Sequence, residues 1–424
     1  MIEIKANRTE RHRIKKNHRF FELIDVLCWK SKNMYNYGNY IIRQEFIKTT
    51  KEKEAGLREN ANWIRYNELF HMAKDSEPYK DLGNNVGQAT LRKLDKNWKS
   101  YFSSIKDWSK HPEKYKGIPK MPRYLPTETG RYECGLDNNK FKVINGYIYF
   151  CWKPLKVMNG TFKTKIQENA KLIQLRFVPK NTEYVMEVVY EVEIPDVNND
   201  SSRIAAIDLG VDNLMTIVTN CDVRPIIVNG RPLKSINQYY NKEIAKLQSN
   251  LKVRHNKNSS NELIRFTNKR NNKVDNYVQK ATRLVVDFCK DNNIDTLVCG
   301  YNSGWKQRST MNKKSNQKFV EIPYSSIVWK LSYKCENEGI QFIQQEESYT
   351  SGTSFLDGEM PTSENYNKSR RIHRGLFVTE KGEKVNADVN GSYQILRKAF
   401  PNSFEDGIVG VDLHPVVVNI PLQR

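Results

Sequence analysis

The apolar run Ile204-Ala-Ala-Ile207 ends on Asp208, breaks at Gly210, and resumes as Leu214-Met-Thr-Ile-Val-Thr219. A short apolar run bounded by turn residues reads as a buried strand, and two such runs around a Gly210-Val-Asp-Asn213 turn read as paired strands. That pair commits this part of the chain to a sheet with a covered core and leaves a carboxylate at its edge. A second isolated aspartate, Asp388, stands about a domain's length later in Asn386-Ala-Asp388-Val-Asn390-Gly391, at a helix start. Taken singly, an Asp before a Gly turn or at a helix N-terminus is commonly structural. In a strongly basic chain the two together suggest divalent-metal chemistry on a phosphodiester, because Mg²⁺ is usually held by one or two carboxylates plus substrate phosphates.

The basic surplus narrows the partner. A formal charge of +21 spread through every region of 424 residues, with a pI near 9.5, fits a polyanion better than a small acidic substrate. The 22 Tyr and 7 Trp interleave with Lys and Arg, which suits stacking on bases as well as contact with phosphates. No stretch approaches the roughly 20 apolar residues that span a bilayer, and the N-terminus lacks an apolar signal core. Seven scattered cysteines with no C-x-x-C pair neither staple a secreted fold nor bind zinc, so the expected setting is a reducing one. A prokaryotic cytoplasm, with action at the nucleoid, is the expected location. No membrane and no small-molecule substrate is expected.

Along the chain, a short strand over residues 1–12 gives way to helices. Leu23, Leu27, Met34, Tyr37 and Ile41 mark one apolar face of a helix over roughly 19–48. Val86, Leu91, Leu94, Trp98, Phe102 and Ile105 mark another, with Lys93, Lys96 and Lys99 turned outward as candidate nucleic-acid contacts. The Pro-rich stretch from His111 to Tyr124 leaves the helices as an extended connector, placing a boundary near Pro122, with Arg123 and Tyr124 as further candidate contacts. From Tyr132 to Pro195, alternating β-formers between turn residues predict an antiparallel β module, a small barrel. After a polar linker at 196–202 the character becomes α/β. A very basic helical hairpin over about 233–292, broken near Asn258–Asn261, carries Lys269 and Arg270 toward a nucleic-acid backbone. There follow a strand at 294–299, a Ser-capped helix from about Ser325 to Glu338, a strand at 340–345 and a helix after Asp388.

Ala206-Ile-Asp208-Leu-Gly-Val-Asp-Asn-Leu, the helix segment Leu91 to Phe102, the connector Gly117 to Tyr124, the Tyr349-Thr350-Ser351 turn and Asn386-Ala-Asp388-Val-Asn390-Gly, in that order, resemble TnpB. This is a family of transposon-encoded RNA-guided nucleases, related to Fanzor proteins and type V CRISPR effectors. The resemblance runs nearly end to end. It implies an α/β multidomain fold: residues 1–12 and 123–198 as a wedge β-barrel, 13–122 as a helical recognition lobe, and 203–424 as an RNase H-like RuvC nuclease domain. It also implies a guide RNA, a target double-stranded DNA with an adjacent motif, and cutting with Mg²⁺, the family's aspartates falling on Asp208 and Asp388.

Two departures from the family stand out. Its usual second glutamate falls at Gly300, in Leu297-Val-Cys-Gly300-Tyr-Asn, and glycine cannot ligate metal. The zinc ribbon is also gone, since no cysteine follows Cys335, so no zinc is expected. The replacement acid is sought in Gln344-Gln-Glu346-Glu347-Ser-Tyr-Thr-Ser351. Successive strand residues face opposite sides, so only one of the two glutamates can readily join the aspartates. Glu347 is the choice, because it fits the relocated E-x-x-T-S pattern of some TnpB branches and Fanzor proteins, with Glu346 the alternative. The insertion at 352–383 adds Arg371 and Arg374, which can clamp phosphates or simply solvate a loop.

The sequence thus points to an RNA-guided endonuclease in which Asp208, Glu347 and Asp388 bind two Mg²⁺ ions. The alternatives are a nuclease-inactive RNA-guided repressor and, more remotely, a general nucleic-acid chaperone.

Overall fold

The computed structural model describes residues 4–197, 202–302, 304, 312–373, 375–404 and 413–421. The chain divides into two units, Lys5–Val192 and Glu193–Arg424, the latter also taking in the first four residues. Among the described residues no helix is long and apolar enough to cross a membrane.

In chain order the first unit contains β1 (Ile4–Lys15), α1 (Phe21–Glu54), α2 (Tyr66–Ala73), α3 (Glu77–Leu82), α4 (Asn84–Lys110), β2 (Cys134–Asp137), β3 (Phe141–Ile144), β4 (Tyr147–Phe150), β5 (Leu172–Lys180) and β6 (Glu183–Ile194). The helical stripes read from the sequence are the core: Leu27 and Met34 of α1 pack with Leu91, Leu94 and Trp98 of α4. The buried Trp98 indole donates to Asn39 Oδ1 at 3.0 Å, so its one polar atom is satisfied. Helix α1 runs past the expected end at residue 48, and the short α2 and α3 lie where the sequence offered no clear period. The β module is a four-stranded sheet of order β1-β6-β5-β2 with a separate hairpin, β3-β4.

The proline-rich connector is extended, and its backbone groups need outside partners. Helix α1 supplies them from one face. Asn36 both donates to Leu125 O and accepts from Leu125 N at 2.9 Å, Asn39 donates to Pro122 O at 3.0 Å, and Arg43 donates to the same carbonyl at 2.9 Å. Arg43 also stacks over the Tyr124 ring, 5.1 Å from its centroid.

The second unit contains β7 (Ile204–Leu209), β8 (Asn213–Thr219), β9 (Ile226–Asn229), α5 (Arg231–His255), α6 (Asn261–Asp291), β10 (Thr296–Gly300), α7 (Lys313–Val320), α8 (Tyr324–Asn337), β11 (Gln341–Gln345), β12 (Leu376–Val378), β13 (Lys384–Asn386), α9 (Ala387–Ala399) and β14 (Val416–Val418). The main sheet has the order β11-β10-β7-β8-β9-β14. β10 runs parallel to both β7 and β11, β7-β8-β9 is an antiparallel meander, and β14 is parallel to β9. The basic hairpin breaks where expected: Ser260 caps α6, its side chain accepting from Leu263 N at 3.2 Å. Helix α8 is not Ser-capped. Its N-cap is Pro323, whose carbonyl already accepts from Ser326 N at 2.9 Å.

Strand alternation assigns the two faces of this sheet. Ala205, Ile207, Leu209, Leu297 and Cys299 pack on one side with α6 and α8. Ile204, Ala206 and Val298 pack on the other with Val389, Tyr393 and Leu396 of α9. Phe355, from the insertion, completes the second core: its ring stacks on Tyr393 at 4.5 Å, Arg397 lies 4.4 Å above it, and its N–H donates to the buried Asn390 at 2.9 Å. Removing a ring so placed loses both transfer free energy and packing. We expect Phe355→Ala to lower the unfolding free energy by about 3–5 kcal/mol in guanidinium titration. A change under ~1 kcal/mol would show that the insertion is not anchored through this ring.

Candidate functional site

Asp208 continues the α9-facing row of β7 after Ile204 and Ala206, so its carboxylate meets the first turns of that helix. It has room there because residue 391 is glycine: a Cβ at Gly391 would lie 3.0 Å from Asp208 Oδ2. Helix α9 starts at this point because Asn386 caps it, its side chain accepting from Asp388 N at 3.0 Å and Val389 N at 3.2 Å. Asp388 thereby falls in the first turn, where the helix dipole favours a carboxylate. Both of its oxygens are engaged: Asn213, at the start of β8, donates to Oδ2 at 2.7 Å, and Arg371 donates to Oδ1 at 3.0 Å.

The third carboxylate comes from the edge strand. β11 pairs with β10 as far as Gly300 opposite Gln345, and the chain leaves the sheet through Glu346 and Glu347. The two side chains part. Glu346 is exposed and bonds Lys398 at 2.6 Å, whereas Glu347 is half-buried, with its Oε2 turned in out of solvent. A Cβ at Gly300 would stand only 2.8 Å from Glu347 Oε2, 2.5 Å from Ile395 Cδ1 and 3.3 Å from Ile207 O. The carboxylate of Glu347 thus occupies the space a side chain at position 300 would claim, on the face that Asp208 shares. Asn302 holds it, accepting from Glu347 N at 3.2 Å and reaching Oε1 with its amide at 3.5 Å. Glu347 Oε2 is buried with no hydrogen-bond partner among the described residues.

Asp208, Glu347 and Asp388 line a cleft of about 910 Å³ with Asn302, Lys318 and Arg371. Burial, followed by the charges of Glu347 and Asp388, pushes the Asp208 carboxyl well above the ordinary range, with Arg371 pulling weakly the other way. Burial, then the charge of Glu346, pushes Glu347 up to about 7, against the pull of Lys398. A cation would relieve all of this. The donors are carboxylate oxygens, as a hard ion requires, and the orphaned Oε2 of Glu347 has no other role in the described structure, so the residues present fit Mg²⁺. Among the described residues no three His, Cys, Asp or Glu side chains close tightly enough to hold an ion unaided.

The candidate nucleic-acid contacts are scattered more widely. Lys93 pairs with Glu133 at 3.3 Å and Lys99 with Asp95 at 2.5 Å, while Lys96 is exposed beside Arg92 and Arg176. Arg123 and Tyr124 are exposed. Lys269 is exposed, but Arg270 is tied into the hairpin through Asn237 at 2.9 Å and the Tyr240 ring. Arg371 stands in the carboxylate cleft, and Arg374 lies outside the described residues. Sequence reasoning missed Asn213, Asn302 and Lys398. Of these only Asn302 left a trace, two residues past the glycine that replaces an acid.

The fold has relatives. Residues 187–306 match the family model OrfB_IS605, described as a probable transposase, and residues 324–395 match the Cas12f1-like TNB domain. Among solved structures, the protein of a Cas12f1-sgRNA-target DNA complex superposes with a TM-score of 0.53 at 13% identity, covering 88% of this chain and 82% of that one. The architecture is the mixed α/β multidomain fold with a RuvC-type, RNase H-like domain. A curated relative, the TnpB-like protein ORF457 of Acidianus two-tailed virus, is 22% identical over 411 residues, covering 87% of this chain and 81% of the relative. Together these matches support a TnpB-type protein, as the order of the sequence motifs led us to expect.

The raised carboxyls predict a pH dependence for the metal-free protein. Folded Glu347 keeps its proton to about 7, whereas the ordinary value is 4.5. Its contribution to stability is therefore fully present below about 4.5 and is lost as pH rises through about 7. Asp208 acts in the same direction. Melting temperatures of metal-free protein should fall across this window, and Glu347→Gln should flatten the slope. An identical slope in the variant would contradict the burial of this carboxyl.

Proposed function

We propose that the chain is an RNA-guided DNA endonuclease. In this reading a transposon-derived guide RNA directs it to double-stranded DNA beside a short adjacent motif, and its RuvC site hydrolyses phosphodiesters. The observation that carries the catalytic part is the Glu347 carboxylate in the space left open by Gly300, on the face shared with Asp208. A binding protein has no use for an unpartnered buried carboxylate there, because such a group costs stability unless something offsets its charge. The RNA and DNA partners are supported by the basic composition and by the sgRNA and target DNA of the similar Cas12f1 complex.

Asp208, Glu347 and Asp388 would hold two Mg²⁺ ions, which when bound clamp the attacking and leaving oxygens of the phosphodiester. The rest falls to the chain itself. Arg371 offers a planar guanidinium at the cleft, a group that can bind phosphate oxygens once it leaves Asp388. Asn213 holds the second oxygen of Asp388 and fixes its orientation. Asn302 fixes the backbone from which Glu347 projects. In the parts read as a wedge (1–12 and 123–198) and a recognition lobe (13–122), exposed Lys96, Arg123 and Tyr124 would contact backbone and bases.

The test uses purified protein with its co-expressed RNA, a target library, and Mg²⁺ or EDTA. Double-strand breaks should appear only with Mg²⁺. Glu347→Gln should cut them by about 10²–10³-fold, while leaving RNA retention and target protection intact. Protection without breaks in wild-type protein would leave a silent repressor, and undiminished cutting by Glu347→Gln would remove that residue from the site.

A further inference from the structure

We propose that Lys398 is a positioning residue for Glu347, and that Glu346 is its anchor and not a competing metal ligand. The proposal rests on the nuclease reading of the cleft. Lys398 lies in the last turn of α9, and its ammonium bonds on both sides of residue 347: to Glu346 Oε2 at 2.6 Å and to Ser348 O at 2.9 Å. Lys398 thus ties the chain on both sides of residue 347 to α9, the helix whose Ile395 bounds the space at Gly300 that the Glu347 carboxylate fills.

The staple joins elements that must keep register. Helix α9 carries Asp388 at its first turn, the gap that admits Asp208 at Gly391, Ile395 against Gly300, and Lys398 at its end. One rigid rod thus references all three carboxylates. The turn beyond β11 needs such support, because Tyr349 has φ 71°, a left-handed conformation that bulky residues adopt only where neighbours impose it. Within the turn, Glu346 Oε1 accepts from Ser348 N at 2.8 Å and from the Ser348 hydroxyl, while Thr350 Oγ1 donates to Glu347 O at 2.8 Å. The tandem glutamates divide the work: the outer one grips the helix and the inner one faces the cleft.

A purely structural role predicts something else. The Lys398 and Glu346 side chains retain 23% and 54% exposure, and an ion pair so exposed adds little to global stability. Its loss should instead appear where carboxylate placement is read, at the 10–100-fold level typical of residues that orient metal ligands.

The experiment compares wild type, K398M, K398R, E346Q and the K398M/E346Q double variant, each as full chain with co-expressed RNA. Four quantities are measured: Mn²⁺ affinity by electron paramagnetic resonance, single-turnover cleavage at saturating Mg²⁺, target affinity and melting temperature. K398M and E346Q should each weaken Mn²⁺ binding and slow cleavage by about 10–100-fold, with melting temperature and target affinity unchanged. K398R should regain most of the loss, and the double variant should be no worse than the weaker single one. Wild-type Mn²⁺ affinity in K398M, or penalties that multiply in the double variant, would overturn the proposal. If wild-type protein binds target without cutting, the nuclease reading falls, and the Mn²⁺ comparison still decides whether Lys398 positions the carboxylate.

Discussion

Three half-buried carboxylates, Asp208, Glu347 and Asp388, line one cleft of the second unit, and the packing around them sets where each one stands. Burial and neighbouring like charge favour protonation: burial and then the charges of Glu347 and Asp388 raise Asp208, while burial and then the charge of Glu346 raise Glu347. The arrangement persists because packing dictates it. The alternation of β7 sends Asp208 to the face that α9 covers, the Asn386 cap begins α9 at Asp388, and Gly391 lets helix and strand approach. Arg371 and Asn213 hold the oxygens of Asp388, but Glu347 Oε2 has no hydrogen-bond partner among the described residues.

Position 300 gives the site its individuality. A glutamate there would project from the strand beside β7 on the face that Asp208 shares, and glycine forfeits that. The loss leaves a hole on the α9 face of the sheet, bounded by Ile395 and the Ile207 carbonyl, and the chain fills it from the next strand over. What matters chemically is where the carboxylate stands, not which strand delivers it. Delivery from a strand exit does need more support than delivery from within a central strand, because no ladder hydrogen bonds fix the backbone beyond Gln345. Asn302, Thr350 and Lys398 supply side-chain hydrogen bonds in their place.

Much of this was legible in the sequence because it depends on short-range periodicity. The paired strands around Gly210, the two apolar helix stripes and the hairpin break before Asn261 follow from alternation, 3.6-residue spacing and a serine cap. Strand parity alone said that one of Glu346 and Glu347 must turn inward. It did not say what would hold the other. Lys398 is distant in sequence, and its meeting with Glu346 depends on how α9 lies across the sheet. The same limit hid Asn213, which reaches Asp388 only after β8 and α9 are in place. Helix α8 was misjudged at its start because Ser325 is a plausible cap by type, yet Pro323 already supplies the turning backbone. Arg270 looked like a free cation because the spacing of its neighbours conceals that Asn237 and Tyr240 lie across the hairpin.

The central claim is that Glu347 completes the carboxylate set of Asp208 and Asp388. Its most direct test is a structure of the protein with Mn²⁺, with the ions located by anomalous scattering at the manganese edge. The account predicts manganese in contact with the carboxylates of Asp208, Glu347 and Asp388, and Glu346 still bonded to Lys398. Manganese held by the aspartates with Glu347 turned away, or ligated by Glu346 in its stead, would contradict it.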